Sequence, residues 1–346
     1  MSGVKSGSML QRVITVVVLI IFVAVPLAVS AQAIPSGQVL SRVVQEAYEK
    51  FKDVKEGATA DYIPELAKVP AELFGVAIVT ARGDVYVAGD VGYAFTIQSV
   101  SKPFTAALVM QEQGSADVIR EKIGVEPTGM KFNSLLATQV VKGTSVNPLV
   151  NSGAIASVSL VKAKTAQERF DKIMKFYEQL AADKLSVIED VYRSEAATNQ
   201  RNRAHGYILL VSDRIYSDPM EAVDIYTRQC SIGVTAKQLA VMGATLANNG
   251  VNPITRQRVL DTKYVPKVLA LMMMAGFYDE SGLWAYTAGL PAKTGVGGGI
   301  VAVVPGQMAI VGFSPRVNDA GNSVRAMKAI AYISDQLGVS VFGSGR

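Results

Sequence analysis

The chain has 346 residues, with 34 Lys or Arg against 29 Asp or Glu, one His and one Cys. A charge excess this small and scattered argues against a nucleic-acid surface. One cysteine excludes an intramolecular disulfide, while one histidine leaves a single candidate for a His-based triad and too few ligands for zinc sites built on several His or Cys. No Gly-x-Gly-x-x-Gly or P-loop pattern follows a strand, so no cofactor is called for.

Residues 1–33 read as a secretory leader. Lys5 and Arg12 precede an almost wholly apolar run from Val13 to Val29, and Val29-Ser-Ala-Gln-Ala33 offers cleavage after Ala31 or Ala33. That is the n/h/c order of a signal peptide, with an uncleaved single-pass anchor as the alternative. The leader implies export, to a bacterial periplasm, with no membrane attachment after cleavage. The remaining residues, 34–346, suit one catalytic domain: an α/β lobe from about 34–110 and 225–346, and a helical lobe from about 111–224.

Gln38 to Val54 repeats apolar residues at helical spacing, and Asp61-Tyr-Ile-Pro-Glu65 breaks it as a loop. Leu73–Thr80 and Asp84–Ala88 are β-rich runs around Ala-Arg-Gly, a hairpin pattern. Ser99 follows and opens a helix through about Gln111. Asn147–Gly153 is a polar turn before a helix from Ala154 to about Ala163. Ala166–Leu180, Ser186–Val191, Glu195–Leu210, Thr235–Ala247 and Lys267–Phe277 read as further helices. Strands return at Ile300–Val304 and Met308–Phe313, and Ser323–Leu337 closes the chain as a helix. The fold class is therefore α+β: one antiparallel sheet from both chain ends, flanked by helices, with a helical lobe inserted between them.

Ser99 and Lys102 form an S-x-x-K pair inside Phe95-Thr-Ile-Gln-Ser-Val-Ser-Lys-Pro-Phe104. Three residues is nearly one helical turn, so both side chains leave one face. The hydroxyl then serves as nucleophile and the amine as base, once burial frees its lone pair. Lys293-Thr-Gly295 begins a late strand of the sheet that Ser99 abuts. S-x-x-K with a late K-T-G strand is shared by the penicillin-recognising serine enzymes. The glycines from Gly295 to Gly299 let backbone approach a substrate closely, and an amide there completes an oxyanion hole with that of Ser99.

Longer runs narrow the reading. Gln-Ser-Val-Ser-Lys102, Glu126-Pro-Thr-Gly-Met-Lys-Phe-Asn-Ser134, Asn147-Pro-Leu-Val-Asn-Ser-Gly-Ala154, Glu195 ahead of Arg201-Asn-Arg-Ala204, Tyr226-Thr-Arg-Gln-Cys-Ser-Ile232 and Gly289-Leu-Pro-Ala-Lys-Thr-Gly-Val-Gly-Gly-Gly299 stand in this order. From about Asp61 to Phe313 the chain resembles the serine-dependent glutaminases, which hydrolyse L-glutamine on a β-lactamase/transpeptidase-like fold. The resemblance implies Ser99 as nucleophile, Lys102 as base and Tyr62 as a site-lining tyrosine counted with them as catalytic, with a tyrosine relaying the proton. It implies substrate contacts at Asn151, Glu195, Asn202, Tyr226 and Tyr278, with Tyr286 close by, and a backbone amide at Val296. It also implies a homodimer or homotetramer. Glu195 suits the ammonium of glutamine, while Asn151 and Asn202 suit its carboxylate or amide.

Three departures stand out. His205 replaces a usually apolar residue and reads as a partly buried bystander. Lys-Thr-Gly replaces the commoner Lys-Ser-Gly and keeps a hydroxyl. A leader is unusual, since bacterial members are mostly cytoplasmic. The alternative function is a secreted β-lactamase or D-Ala-D-Ala peptidase, but those enzymes usually carry S-x-N or Y-x-N and lack the Glu195/Asn202 pattern.

Overall fold

The computed structural model describes residues 2–3, 33–140 and 145–343. The chain divides into two units, Met1–Ala31 and Gln32–Arg346, and the fold is that of the second. The leader reading lies outside the described residues. Among the described residues, no helix is long and apolar enough to cross a membrane.

Strands β1 (Gly75–Thr80), β2 (Val85–Gly89), β3 (Phe95–Thr96), β4 (Ser186–Val187), β5 (Ile232–Val234), β6 (Ala292–Thr294), β7 (Gly299–Val304) and β8 (Met308–Phe313) form two sheets. The larger has the order β2-β1-β8-β7-β6, antiparallel at every step. It joins both ends of the chain, as the two hairpins imply. The smaller, β3-β5-β4, is absent from the sequence reading.

Every residue of β1, β7 and β8 is buried, because helices cover both faces. Alternate residues feed two cores. Ala77, Val79, Val301, Val303, Ala309 and Val311 pack with the helical middle of the chain, including helix Ala236–Ala247. Val76, Ile78, Ile300, Ala302, Met308 and Ile310 pack with helices Gly37–Phe51 and Val324–Leu337. Two-sided burial explains why these strands read as continuous apolar runs. A capping box at Thr235 and Gln238 starts helix Ala236–Ala247.

Four local expectations change. Ser186–Val191 is not a helix: Ser186 and Val187 pair with Gly233 and Ile232, and the helix starts at Glu189. Glu195–Leu210 is split at Asn199, whose Nδ2 donates to Thr227 Oγ1 and whose Oδ1 accepts from Arg203 Nε. Asn151, Ser152 and Gly153 form the first turn of helix Asn151–Leu160 rather than the preceding turn. Helices Pro219–Cys230 and Ser281–Thr287 are additional.

Glycine sets the helix-to-sheet spacing. A Cβ on Gly243 would lie 2.5 Å from Val301 Cγ2 and 2.7 Å from Ala309 Cβ. Gly243→Ala should therefore lower stability by about 1–3 kcal/mol in urea unfolding, with an unchanged m value. An unchanged midpoint would mean that the helix does not rest on the sheet there.

Candidate active site

Ser99 lies in a 3-10 turn, Gln98–Ser101, and the α-helix begins only at Lys102. This corrects the expectation that Ser99 opens the helix. The 3-10 geometry sharpens the i,i+3 alignment, since side chains three apart eclipse. Gln98 has φ 46°, in the left-handed region, and its Nε2 donates to Glu195 Oε2 at 3.1 Å. Strain next to the serine is thus held by a tertiary contact.

The turn is fixed from three sides. Phe95 and Thr96 pair with Val234 and Gly233, and Ile97 N donates to Ile232 O at 2.8 Å. Beneath it, Gln229 Nε2 donates to Ser101 Oγ at 2.9 Å, and Tyr177 OH donates to Ser101 O at 2.8 Å. From the sheet, Gly295 sits so close that a Cβ would lie 3.1 Å from Ile97 O and Val100 N, while one on Gly297 would lie 2.3 Å from Thr96 O. The sequence reading gave these glycines to close approach of a substrate; in the structure they accommodate the Ser99 turn itself.

Lys102 is 1% exposed. Its Nζ lies 2.7 Å from Ser99 Oγ and 2.8 Å from Asn151 Oδ1. Burial lowers its pKa to about 8, opposed by the nearby Cys230 and Glu195. A neutral amine fits these neighbours, accepting from Ser99 and donating to Asn151. Asn151 continues the network: its Nδ2 donates to Asn202 Oδ1 at 2.9 Å, and Tyr226 OH donates to its Oδ1 at 3.2 Å.

A cleft of about 580 Å³ opens above. Tyr62, Ser99, Asn151, Glu195, Asn202, Tyr226 and Val296 line it, so seven of the nine sequence-derived residues share one wall system. Lys102 and Tyr278 lie behind it, with Lys102 Nζ 5.6 Å from the Tyr278 ring centroid. Burial raises the Glu195 pKa to about 7, against the hydrogen bond from Gln98 and the charge of Lys102.

The tyrosines separate clearly. Tyr278 is buried at φ 58°, and burial raises its hydroxyl pKa against the nearby Ser99 side chain, which lowers it. Its hydroxyl has no well-directed hydrogen bond among the described residues. Tyr62 is half exposed as a residue but lines the cleft with Glu195, and desolvation there, with the Glu195 charge, raises its hydroxyl pKa well above normal. Tyr286 is 91% exposed, on the surface away from this group. Lys293 Nζ donates to Gly276 O at 3.0 Å and Thr294 O at 2.7 Å, 4.0 Å from the Tyr278 ring centroid. Burial and the Lys102 charge push its pKa well down.

His205 is fully buried rather than partly so. Its Nδ1 is 3.2 Å from Thr138 Oγ1, and burial lowers its pKa to about 4. Gln98, Gln229 and Tyr177 went unassigned in the sequence. The first two sit inside the quoted runs, whereas Tyr177 carries no local signal. Among the described residues, no group of three or more His, Cys, Asp or Glu could hold a metal ion.

An antiparallel sheet covered on both faces, with a Ser–Lys pair against the strand that carries Lys-Thr-Gly, places the chain in the serine β-lactamase-like fold class. Within that class, the chain belongs to the glutaminase family, whose model matches residues 57–342. It is 50% identical to a glutaminase of Colwellia psychrerythraea over 308 residues, 89% of this chain and 99% of that one. It is 53% identical to a glutaminase of Brucella canis over 306 residues, 87% of this chain and 96% of that one. A solved structure of the probable glutaminase YbaS matches with a TM-score of 0.88 at 47% identity, covering 90% of this chain and all of that one.

The start of helix Asn151–Leu160 is fixed sterically, because a Cβ on Gly153 would lie 1.8 Å from Asn147 O. Gly153→Ala should lower the melting temperature and turnover together, by moving Asn151 from Lys102. The cost is about 1–3 kcal/mol or more. A melt and a rate both at wild-type values would contradict this placement.

Proposed function

We propose that the chain hydrolyses L-glutamine to L-glutamate and ammonia through a γ-glutamyl ester on Ser99. The observation that carries the reading is a buried lysine amine with a pKa of about 8, 2.7 Å from a serine hydroxyl at the floor of a polar cleft. Lys102 takes the Ser99 proton as Oγ attacks the side-chain amide carbon. The backbone amides of Ser99 and Val296 receive the oxyanion. The proton then passes to the leaving nitrogen, with the Tyr278 hydroxyl beside Ser99 as relay, and ammonia departs. Water attacks the ester, Lys102 takes its proton, and Ser99 Oγ is reprotonated as glutamate leaves.

Glu195 is the ammonium partner. It is 7% exposed and bonded to Gln98, so an arriving cation meets a desolvated carboxylate. Tyr62 covers that end of the cleft, whereas Tyr278 serves the reacting end. Asn151 and Asn202 read the remaining polar groups of the substrate. The leader pattern of residues 1–33 supports export to the periplasm as the setting. Residues 34–346 then act as one catalytic domain, in a homodimer or homotetramer.

The direct test is ammonia release from glutamine. Ser99→Ala should lower kcat by about 10⁴-fold or more. Cephalosporin turnover without glutamine turnover would overturn the reading. Glu195→Gln should lower kcat/KM for glutamine by about 10²- to 10³-fold, and far less for glutaramate, which has no ammonium. Equal losses on both would make Glu195 structural.

The pH profile has a definite sign. Lys102 works as a base only when neutral, so activity rises with pH through about 8. Glu195 binds an ammonium only when ionised, a form gained as pH rises through about 7. Below 7, log kcat/KM should therefore fall with a slope approaching 2 in the wild type and 1 in Glu195→Gln. A profile flat from pH 6 to 9 would contradict both assignments.

A further inference from the structure

Glu280 lies two residues after Tyr278, in the run Tyr278-Asp-Glu-Ser-Gly282. Its carboxylate accepts from Asn318 Nδ2 at 3.0 and 3.1 Å, and from Asn322 Nδ2. Those asparagines belong to residues 317–323, and Val317, Asn318, Asp319 and Gly321 line the cleft. Asn318 also shapes this rim, since its Oδ1 accepts from Ala320 N at 3.1 Å and Asn322 N at 3.0 Å. Gly321 reaches Val296, whose Cγ1 would lie 3.1 Å from a Cβ placed there. One carboxylate thus joins the turn that carries Tyr278 to the segment that backs Val296.

We infer that Glu280 is a positioning residue, which holds Tyr278 beside the Ser99–Lys102 pair by tying the Tyr278 turn to the 317–323 rim. The inference rests on the glutaminase reading above. Tyr278 sits in the left-handed region, which a tyrosine keeps only when its surroundings over-determine it. Part of that support is internal: Phe277 N donates to Ser281 Oγ at 3.1 Å, Ser281 Oγ donates to Tyr278 O at 2.9 Å, and Glu280 N donates to Phe277 O at 3.0 Å. Outward, the Tyr278 ring packs against Phe132 and Lys293, and the Glu280 side chain supplies the hydrogen-bonded link to the rim. Its bonds are charge-assisted and therefore among the stronger ones. Asn322 is fully buried, and among the described residues its side-chain amide makes no other hydrogen bond. Removing Glu280 would strand that amide, so the rim must shift to satisfy it. Any shift of the rim is passed through Glu280 to the turn that carries Tyr278.

The experiment compares Glu280→Ala, Glu280→Gln and Asn318→Ala with wild type, then repeats Glu280→Ala in a Tyr278→Phe background. In the single variants kcat should fall about 10- to 100-fold, as for sub-ångström to ångström misplacement of a reacting group, with KM within about threefold. In the Tyr278→Phe background, Glu280→Ala should lower kcat by less than about twofold, because the two act as a unit. The same loss in both backgrounds, or a lower melting temperature with unchanged kcat per active site, would overturn the inference. If Glu280→Ala does not fold, Glu280→Gln and Asn318→Ala decide it by the same criteria. Turnover abolished by Ser99→Ala but intact in the Glu280 variants would overturn the positioning role alone. A wild-type chain that leaves glutamine untouched would overturn the proposed function and this inference with it.

Discussion

The constraint on which the rest of the site depends is the burial of Lys102. A cation enclosed this way is held in its charged form only weakly, and the amine beside Ser99 is drawn toward neutrality. Burial prevails over neighbours that favour the cation, among them Cys230, Glu195 and the ring faces of Tyr226 and Tyr278. Asn151 offers a carbonyl rather than a carboxylate, and the aromatic rings of Tyr226 and Tyr278 enclose the amine from two sides. Glu195 is the carboxylate that acts on Lys102, and it is itself drawn toward its neutral form by burial. A direct ion pair at Lys102 would hold its proton, and Ser99 would lose the base proposed for it.

That arrangement demands close approach of several backbones, and glycine provides it. Gly295 and Gly297 bring the strand with Lys293 against the Ser99 turn, and Gly153 brings the helix with Asn151 against Asn147. Behind these contacts stands a sheet buried on both faces, whose two cores fix the strand and the helices independently. The small sheet β3-β5-β4 adds the last restraint, because β3 leads directly into the Ser99 turn. Rigidity at the floor and polar side chains at the walls give the cleft its division of labour.

The larger sheet and the Ser99/Lys102/Lys293 grouping were legible in the sequence because their causes are local. Period-two burial on both faces makes apolar runs, and three-residue spacing aligns serine and lysine. What was not legible has tertiary causes. Ser99 stands in a 3-10 turn because Gln98, at positive φ, reaches Glu195, 97 positions on. Ser186 and Val187 are strand only because β5 lies beside them, and their own residues favour neither state. Asn199 breaks a helix through its bonds to Thr227 and Arg203. Tyr278 and Tyr286 stand eight positions apart on one local pattern, and only packing buries the first and exposes the second. Glu280 gave no local signal, since its partners lie about forty residues further along.

The central claim is that enclosure by the fold brings the Lys102 pKa down to about 8, which puts a neutral base within reach of neutral pH. Titration of its Nζ by nitrogen-15 NMR, assigned by loss of the signal in Lys102→Met, reads this directly. The account predicts a midpoint near 8. A midpoint at the ordinary lysine value of 10.5 would contradict it.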